Sequence, residues 1–262
     1  MSFDLARGDS PVLVSIPHAG TELPAPLRDR LTPAALALPD TDWHLARLYA
    51  FATELGAGLL VARESRYVVD LNRPADDEPM YPGANNTGVV PTRSFAGEAL
   101  YRAGEEPDTD EQARRIEDVW RPYHHELAAE VARLRERHGF AVLFDAHSIR
   151  SELPWLFPGT LPHLNLGTVA GSSCAASLRA ALADALAVDS ELSSVVDGRF
   201  RGGHITRHYG RPDGGIHAVQ LELSLRTYLS EGPPPAWDDG QARKALRVLR
   251  RFVETLVDWR PE

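Results

Sequence analysis

Two histidines that follow apolar runs are the residues of this sequence best suited to hold a metal ion. His18 comes directly after the β-branched run 11–17, in a loop that contains Gly20, and His147 comes shortly after the apolar run 140–144. Imidazole nitrogens and carboxylate oxygens are the protein ligands of hydrolytic zinc sites. His18 and His147 are therefore candidate metal ligands, although a solvated loop histidine is an ordinary alternative for His18.

The segment Asp145-Ala146-His147 carries more specific information than either histidine alone. In an extended segment, residues two apart point to the same side. Asp145 is therefore expected beside His147, where a carboxylate that accepts the ring N–H fixes which nitrogen faces a metal. A purely structural hydrogen bond at a strand end is the alternative.

Three acidic residues are candidates for a carboxylate ligand near His18. Glu22 lies four residues after the histidine, and Asp40 and Asp42 lie at the start of the next predicted helix. Aspartate is also favoured at helix starts for local reasons, because it caps backbone N–H groups and complements the helix dipole. The residues alone leave the choice open.

Glu222 is the candidate general base. It lies in the alternating run 219–223, where Gln220 and Glu222 share one face and the apolar residues share the other. A carboxylate on such a strand either faces solvent at a sheet edge or points into a cleft. Only the second orientation would allow proton transfer.

Arginines near the predicted strand ends suggest an anionic ligand. Guanidinium groups match carboxylates with two parallel donors, whereas ion pairing with surface acids is their usual alternative role. His204 and His208 are four residues apart, but Gly202, Gly203 and Gly210 flank them, so this segment is predicted to be a binding loop rather than a long helix. The arginines in question are Arg66, Arg73, Arg150, Arg199, Arg201 and Arg207.

Alternating apolar strands and helices predict the scaffold that positions these residues. The pattern indicates an α/β fold, one domain over residues 1–262, with a mostly parallel or mixed sheet covered by helices on both faces. In such sheets ligands collect beyond the carboxyl ends of the strands. Strands are predicted at 11–17, 59–62, 67–71, 140–144, 164–169, near 195 and at 218–223, helices at 43–51, 110–137 (broken or kinked at Pro122), 175–187 and 241–259, and a long loop excursion at about 76–110.

Composition narrows the classes of function. The formal charge of −9 disfavours nucleic acid or an anionic membrane as the main partner. Cys174, the single cysteine, excludes an intramolecular disulfide and a multi-cysteine metal site, and it is predicted to be a small packed residue. No apolar stretch approaches the roughly 20 residues that span a bilayer, and no secretory leader is apparent, so a cytoplasmic location is expected. Serine-hydrolase and phosphate-binding glycine motifs are absent.

Six blocks of the sequence resemble N-formylglutamate amidohydrolases, and they occur in the same order between about residues 11 and 231. That family consists of metal-dependent deformylases that release glutamate and formate at the end of one histidine degradation route. The order of sites is also remotely similar to zinc carboxypeptidases and aspartoacylase, which implies a carboxypeptidase-like fold. The blocks are SIPHAGTELP, DTDWHLARLY, SRYVVDLNRP, FDAHSIRSELP, GRFRGGHITRHYG and HAVQLELS.

The resemblance assigns roles to particular residues. It implies His18 and His147 as metal ligands and Glu222 as the base, with Asn72 and Arg73 holding a substrate carboxylate. Three residues separate His18 from Glu22, whereas the remote group has two between its histidine and glutamate, so the carboxylate ligand stays open among Asp42, Asp40 and Glu22. Asp42 is preferred because the resemblance to the amidohydrolase family includes its acidic segment. Further substrate contacts are expected from Arg150, Arg207 and His204.

The expected cofactor is one divalent cation, zinc by preference, with cobalt, manganese or iron as alternatives. The expected partner is a small acidic substrate, and the oligomeric state is left open. Two other functions remain at this point: a deacylase of another N-acyl acidic amino acid, and a noncatalytic protein that binds acidic ligands on the same scaffold.

Overall fold

The computed structural model describes residues 2–79 and 85–261, in which strands and helices alternate along much of the chain. The strands are β1 (Phe3–Ala6), β2 (Val12–Ile16), β3 (Gly58–Ala62), β4 (Ala141–Ile149), β5 (Leu164–Gly167), β6 (Ser194–Val196), β7 (Ile216–Ser224), β8 (Leu229–Ser230) and β9 (Ala236–Trp237). The helices are α1 (Ala25–Arg28), α2 (Pro33–Leu36), α3 (Leu45–Leu48), α4 (Thr109–Arg115), α5 (Arg121–His138), α6 (Ala176–Leu186), α7 (His204–Tyr209) and α8 (Asp239–Asp258). Short 3₁₀-helices cover Ala50–Leu55, Pro212–Gly214 and Leu225–Thr227, and a π-helical turn covers Ile116–Trp120.

Seven of the strands form one mixed sheet in the order β1-β3-β2-β4-β7-β5-β6. The central strands β3, β2, β4 and β7 are parallel to one another, whereas β1 runs antiparallel to β3 and β5 runs antiparallel to β7. The carboxyl ends of β2, β4 and β7 consequently lie side by side. This arrangement confirms the predicted α/β fold with a mostly parallel or mixed sheet.

Helices cover both faces of the sheet, as predicted. Alternate residues of β2 enter different cores: Val14 packs with α3, α6 and α8, whereas Leu13 packs with α5 and the short helices α1 and α2. The β-branched and aliphatic runs that predicted β2 and β4 are thus buried on two sides. Cys174 is buried in the core beneath α6 and α8.

The predicted strand at 67–71 is wrong. The residues of this segment are buried, but its backbone forms turns and coil and not a strand. Side chains of a helix satisfy its carbonyl groups in place of a neighbouring strand, because Arg115 and His124 donate to carbonyls between residues 67 and 71. The apolar pattern therefore indicates that the segment is buried, but it does not show which groups bind its backbone.

Two further element predictions need correction. The helix expected over 43–51 is replaced by α3 and a 3₁₀ turn, because His44 adopts a left-handed conformation with φ of 60° immediately before α3. The segment predicted to be a binding loop contains α7, a six-residue helix that stacks the rings of His204 and His208 with centroids 5.1 Å apart. Glycines bound this helix on both sides and limit its length.

The predicted excursion at about 76–110 is irregular wherever the structure describes it, with isolated bridges only, and its residues 80–84 lie outside the described residues. The long helix predicted to follow it is present as α4, the π-turn and α5 in succession. No helix within residues 2–79 and 85–261 combines the length and the apolar character needed to cross a bilayer.

Candidate metal centre and substrate cleft

The candidate ligands and the candidate base meet at the carboxyl ends of the central strands. His18 follows β2, His147 lies near the end of β4, and Glu222 lies near the end of β7, directly opposite His147 in the parallel register. All three line one cleft, which holds about 620 Å³ of empty space, its open mouth included. Residues more than 200 positions apart in sequence therefore share one site.

His18, Asp42 and His147 form a buried group that could hold a metal ion. One ligand atom from each of them lies within 4.8 Å of the other two, and the imidazole centroids are 5.0 Å apart. All three side chains are buried. Two imidazoles and one carboxylate match the ligand set of hydrolytic zinc sites that keep a position open for water or substrate.

Among the three acidic candidates, Asp42 has the environment of a metal ligand. Both of its carboxylate oxygens are buried and have no hydrogen-bond partner within the described chain; His147 Nδ1 approaches Oδ2 at 3.3 Å. A buried carboxylate that accepts no hydrogen bond is costly, and a cation would offset that cost. The other two carboxylates are already engaged: Asp40 accepts from Tyr67 Oη and the Phe95 backbone N–H at 2.8 and 2.9 Å, and Glu22 is exposed and paired with Arg63.

A chain of buried charges orients His18. Its Nε2 donates to Asp70 Oδ1 at 2.8 Å, which leaves Nδ1 as the unprotonated nitrogen, and Arg66 donates to the other Asp70 oxygen at 2.6 Å. Burial, followed by the positive charge of Arg66, lowers the pKa of His18, so the ring is neutral as a metal ligand must be. Burial alone would raise the pKa of Asp70, but Arg66 and His18 hold it well below the ordinary value.

Asp145 orients His147 in the same manner, as the sequence predicts. Asp145 Oδ2 lies 2.9 Å from His147 Nε2, while His147 Nδ1 faces Asp42. Burial opposes a proton on His147, yet the Asp145 carboxylate and then Asp42 hold its pKa well above the ordinary value. A divalent cation between His147 and Asp42 would take the place of that proton.

Asn72 lines the cleft, and its side-chain amide also makes hydrogen bonds to other groups of the protein. The Nδ2 group donates to Asp145 Oδ2 at 3.0 Å, and Oδ1 accepts from the Ile205 backbone N–H at 2.8 Å. Asn72 therefore joins the carboxylate that orients His147 to the start of α7. A Cβ on Gly203 would lie 2.3 Å from Asn72 Nδ2, so this contact requires glycine.

Glu222 points into the cleft and is not among the three grouped ligands. Gln220 Nε2 donates to Glu222 Oε2 at 3.3 Å, and Gln220 Oε1 accepts from the Gly203 N–H at 2.6 Å. Burial raises the pKa of Glu222 to about 8, opposed by the nearby charge of His147. A carboxyl group with such a pKa can both accept and return a proton near neutral pH.

Three arginines line the cleft: Arg66, Arg73 and Arg199. Arg150 instead lines a small adjoining cavity beside Asp40, and Arg207 is exposed and donates to the Gly202 carbonyl.

His204 is not among the described residues that line the cleft, and its ring contacts those of Trp120 and His124. Of the nine predicted site residues, six line the cleft: His18, Asp42, Asn72, Arg73, His147 and Glu222.

Sequence reasoning missed Asp70 as the partner of His18, and it gave Gln220 no role. Asp70 belongs to the sequence block SRYVVDLNRP, but its contact with His18 spans 52 residues and depends on a segment without regular secondary structure. The shared face of Gln220 and Glu222 is visible in the alternation of 219–223, and that signal alone could have suggested Gln220.

Comparison with known proteins agrees with the fold and identifies the family of the chain. The family model for N-formylglutamate amidohydrolase matches residues 10–229. The N-formylglutamate deformylase of Pseudomonas aeruginosa is 51% identical, with 97% of this chain and 95% of that protein covered. The Pseudomonas putida protein of the same name is 48% identical, with 98% and 96% covered.

Two solved structures share the fold. The crystal structure of an N-formylglutamate amidohydrolase from Ralstonia eutropha superposes with a TM-score of 0.81 at 24% identity, covering 97% of this chain and 96% of that one. A gene product of Agrobacterium tumefaciens gives a TM-score of 0.72 at 18% identity, covering 97% and 94%. At these identities the two structures support the fold alone. The family model and the Pseudomonas relatives show that the chain belongs to the N-formylglutamate amidohydrolase family.

Proposed function

We propose that this protein hydrolyses the amide bond of N-formyl-L-glutamate to L-glutamate and formate, with one divalent cation held by His18, Asp42 and His147. The names of the Pseudomonas relatives support the reaction. The observation that carries the proposal is a buried group of three ligands beside Glu222, a carboxyl group outside that group in the same cleft. Three protein ligands leave a coordination position for water or substrate, and a separate carboxyl group can carry the proton of that water.

The cation, when bound, supplies polarisation of the formyl carbonyl and a lowered pKa for water. Glu222 accepts the proton of the attacking water and returns it to the departing amine, a pair of transfers suited to its raised pKa. Arg66 presents a buried guanidinium to the same cleft, where it favours the negative charge that develops on the formyl oxygen. Gln220 keeps the Glu222 carboxyl group oriented.

The arginines supply selectivity for an acidic substrate. Arg73 and Arg199 line the same cleft as Arg66, and a dicarboxylate such as N-formylglutamate offers two anionic groups to them. Phe95, Leu156 and Phe200 form apolar parts of the wall, which suit the methylene groups of the substrate. Substrate contacts outside the lining of the cleft remain predicted for Arg150, Arg207 and His204.

Zinc is the proposed cation, and cobalt, manganese or iron can use the same ligands. The proposal includes a place at the end of histidine degradation, as the family resemblance implies, and the cytoplasmic location expected from the sequence. Binding of an acidic ligand without turnover is the alternative from a different class.

Elemental analysis of the purified protein, followed by a formate-release assay, tests the proposal. Formyl, acetyl and succinyl derivatives of glutamate and aspartate separate a deformylase from other deacylases. Glu222→Gln should keep the metal and lose about 100-fold or more in turnover, because it removes the proton acceptor. Glu254→Gln, on α8 outside the cleft, is the matched control. Wild-type turnover in Glu222→Gln would exclude the base assignment, and a metal-free active enzyme would exclude the mechanism.

A further inference from the structure

Two ring N–H groups on α5 and the turn before it hold the segment that carries the candidate substrate anchor. Trp120 Nε1 donates to the Arg73 carbonyl at 2.9 Å, and His124 Nε2 lies 2.8 Å from the Leu71 carbonyl, to which it donates. The two rings stack with centroids 3.8 Å apart and planes 21° apart. The backbone on both sides of Asn72 is thus fixed from behind the cleft.

A third side chain, on α4 directly before the π-turn, also binds this segment. Arg115 Nη1 reaches the carbonyls of Tyr67 and Val68 at 3.4 and 3.3 Å. Arg115, Trp120 and His124 together therefore bind carbonyl groups along one stretch, residues 67–73. We call these three side chains the donor row.

The π-helical turn brings the donor row onto one face. In an unbroken α-helix, with about 100° per residue, residues five apart such as Arg115 and Trp120 would point in directions roughly 140° apart. The π-turn Ile116–Trp120 contains one extra residue, so Trp120 takes the position that an i+4 residue would occupy. Pro122 lacks the backbone N–H and crowds the carbonyl four residues before it, which favours an opened turn at this point.

The segment held by the donor row carries charged groups that matter for the site. Asp70 orients His18, and Arg73 lines the cleft, where its guanidinium also donates to the Thr87 carbonyl. His124 is itself immobilised, since its Nδ1 lies 3.0 Å from Tyr209 Oη. A displacement of residues 71–73 would move the Arg73 guanidinium relative to the metal ligands.

We propose that Trp120 and His124 are positioning residues for substrate recognition, which act through the backbone of Leu71 and Arg73 to set the distance between the Arg73 guanidinium and the metal centre. This inference rests on the proposed function, in which Arg73 binds a substrate carboxylate. It assigns the π-turn a function, namely the alignment of the donors that fix the anchor.

Trp120→Phe is the primary test, because it removes the N–H donor and keeps a ring against His124. The KM for N-formyl-L-glutamate should rise about 3- to 10-fold, the range for loss of one neutral hydrogen bond, with kcat within about twofold and metal content unchanged. Trp259→Phe is the matched control, since Trp259 Nε1 donates to Ser177 beneath α6 and α8, remote from the cleft. An unchanged KM in Trp120→Phe would overturn the proposal.

A double-mutant cycle distinguishes positioning from a general structural effect. If Trp120 acts through Arg73, the effect of Trp120→Phe on KM should fall below about twofold in an Arg73→Ala background. Equal factors in both backgrounds would show that Trp120 does not act through Arg73 and would refute the inference.

A second pair of variants covers the case in which Trp120→Phe folds poorly. His124→Gln keeps an N–H donor for the Leu71 carbonyl and should retain KM, whereas His124→Leu should raise it. Hydrogen exchange of the peptide spanning 67–75 should be faster in Trp120→Phe and His124→Leu than in Trp259→Phe. Exchange does not depend on the substrate, so failure of wild-type formate release would reject the proposed function alone, whereas unchanged exchange would reject the donor row.

Discussion

Asp42→Asn separates the two aspartates that the sequence leaves as candidate ligands. Asp42 has two buried oxygens without hydrogen-bond partners in the described chain, whereas Asp40 accepts two hydrogen bonds from protein groups. Asparagine at position 42 keeps the volume but removes the charge that a cation needs. We expect metal affinity to fall about 100-fold or more, at least the effect seen for removal of a ligand's supporting partner.

The expected change in thermal stability follows from linkage. Zinc at 100 times its Kd stabilises the wild-type fold by about 2.7 kcal/mol, and for a chain of this size 1 kcal/mol corresponds to roughly 2–4 °C in Tm. Zinc should therefore raise the wild-type Tm by about 5–11 °C. At the same zinc concentration a 100-fold weaker Asp42→Asn site gains only about 0.4 kcal/mol, or roughly 1–2 °C.

Asp40→Asn is the control. It weakens the hydrogen bonds from Tyr67 and Phe95, so the free energy of unfolding of the metal-free protein should fall by about 1–3 kcal/mol, and its Tm should fall with it. The zinc-dependent rise should match that of the wild type, when both are followed by scanning calorimetry with and without a chelator. A full zinc response in Asp42→Asn together with a lost response in Asp40→Asn would refute the ligand assignment.

Gly203→Ala should lower kcat/KM about 100-fold in the formate-release assay, because its Cβ would lie 2.3 Å from Asn72 Nδ2 and displace the groups that orient His147. Gly214→Ala, where an added Cβ would lie 3.8 Å from the Cβ of Arg211, should remain near wild type. His124 provides a pH test, since burial lowers its pKa to about 3 and the unfolded chain takes up a proton near pH 6.5. Its contribution is therefore complete above pH 6.5 and is lost as the pH falls towards 3, so urea unfolding of metal-free protein should lose about 1.4 kcal/mol more between pH 7.5 and 5.5 in the wild type than in His124→Gln.

The meeting of His18, His147 and Glu222 is predictable from sequence because it depends on simple properties of a parallel sheet. Each lies at or just beyond the carboxyl end of an apolar run, and these ends share one edge. The pairing of Asp145 with His147 is predictable for a similar reason, since β4 continues through both residues and places them on one face. Regular backbone thus converts sequence spacing into spatial position.

Asp42 and Asp70 could not be selected in this way. The distinction between Asp42 and Asp40 depends on which carboxylate is satisfied by Tyr67 and Phe95, groups 27 and 55 residues from Asp40. Asp70 reaches His18 only because the segment around it leaves the sheet and is held by side chains of the long helix. Contacts made by irregular backbone carry no period, so no pattern in the sequence reports them.

The π-turn shows how a local sequence signal leaves the local geometry open. Pro122 cannot donate a backbone hydrogen bond, and the sequence therefore predicts a broken or kinked helix. The chain widens one turn before the proline and continues as α5, because Tyr123, Leu127 and Val131 beyond the proline pack into the core against the sheet. Burial of that apolar face favours continuation, whereas the proline only fixes where the extra residue is placed. The extra residue of the turn Ile116–Trp120 is what brings the indole N–H to the Arg73 carbonyl.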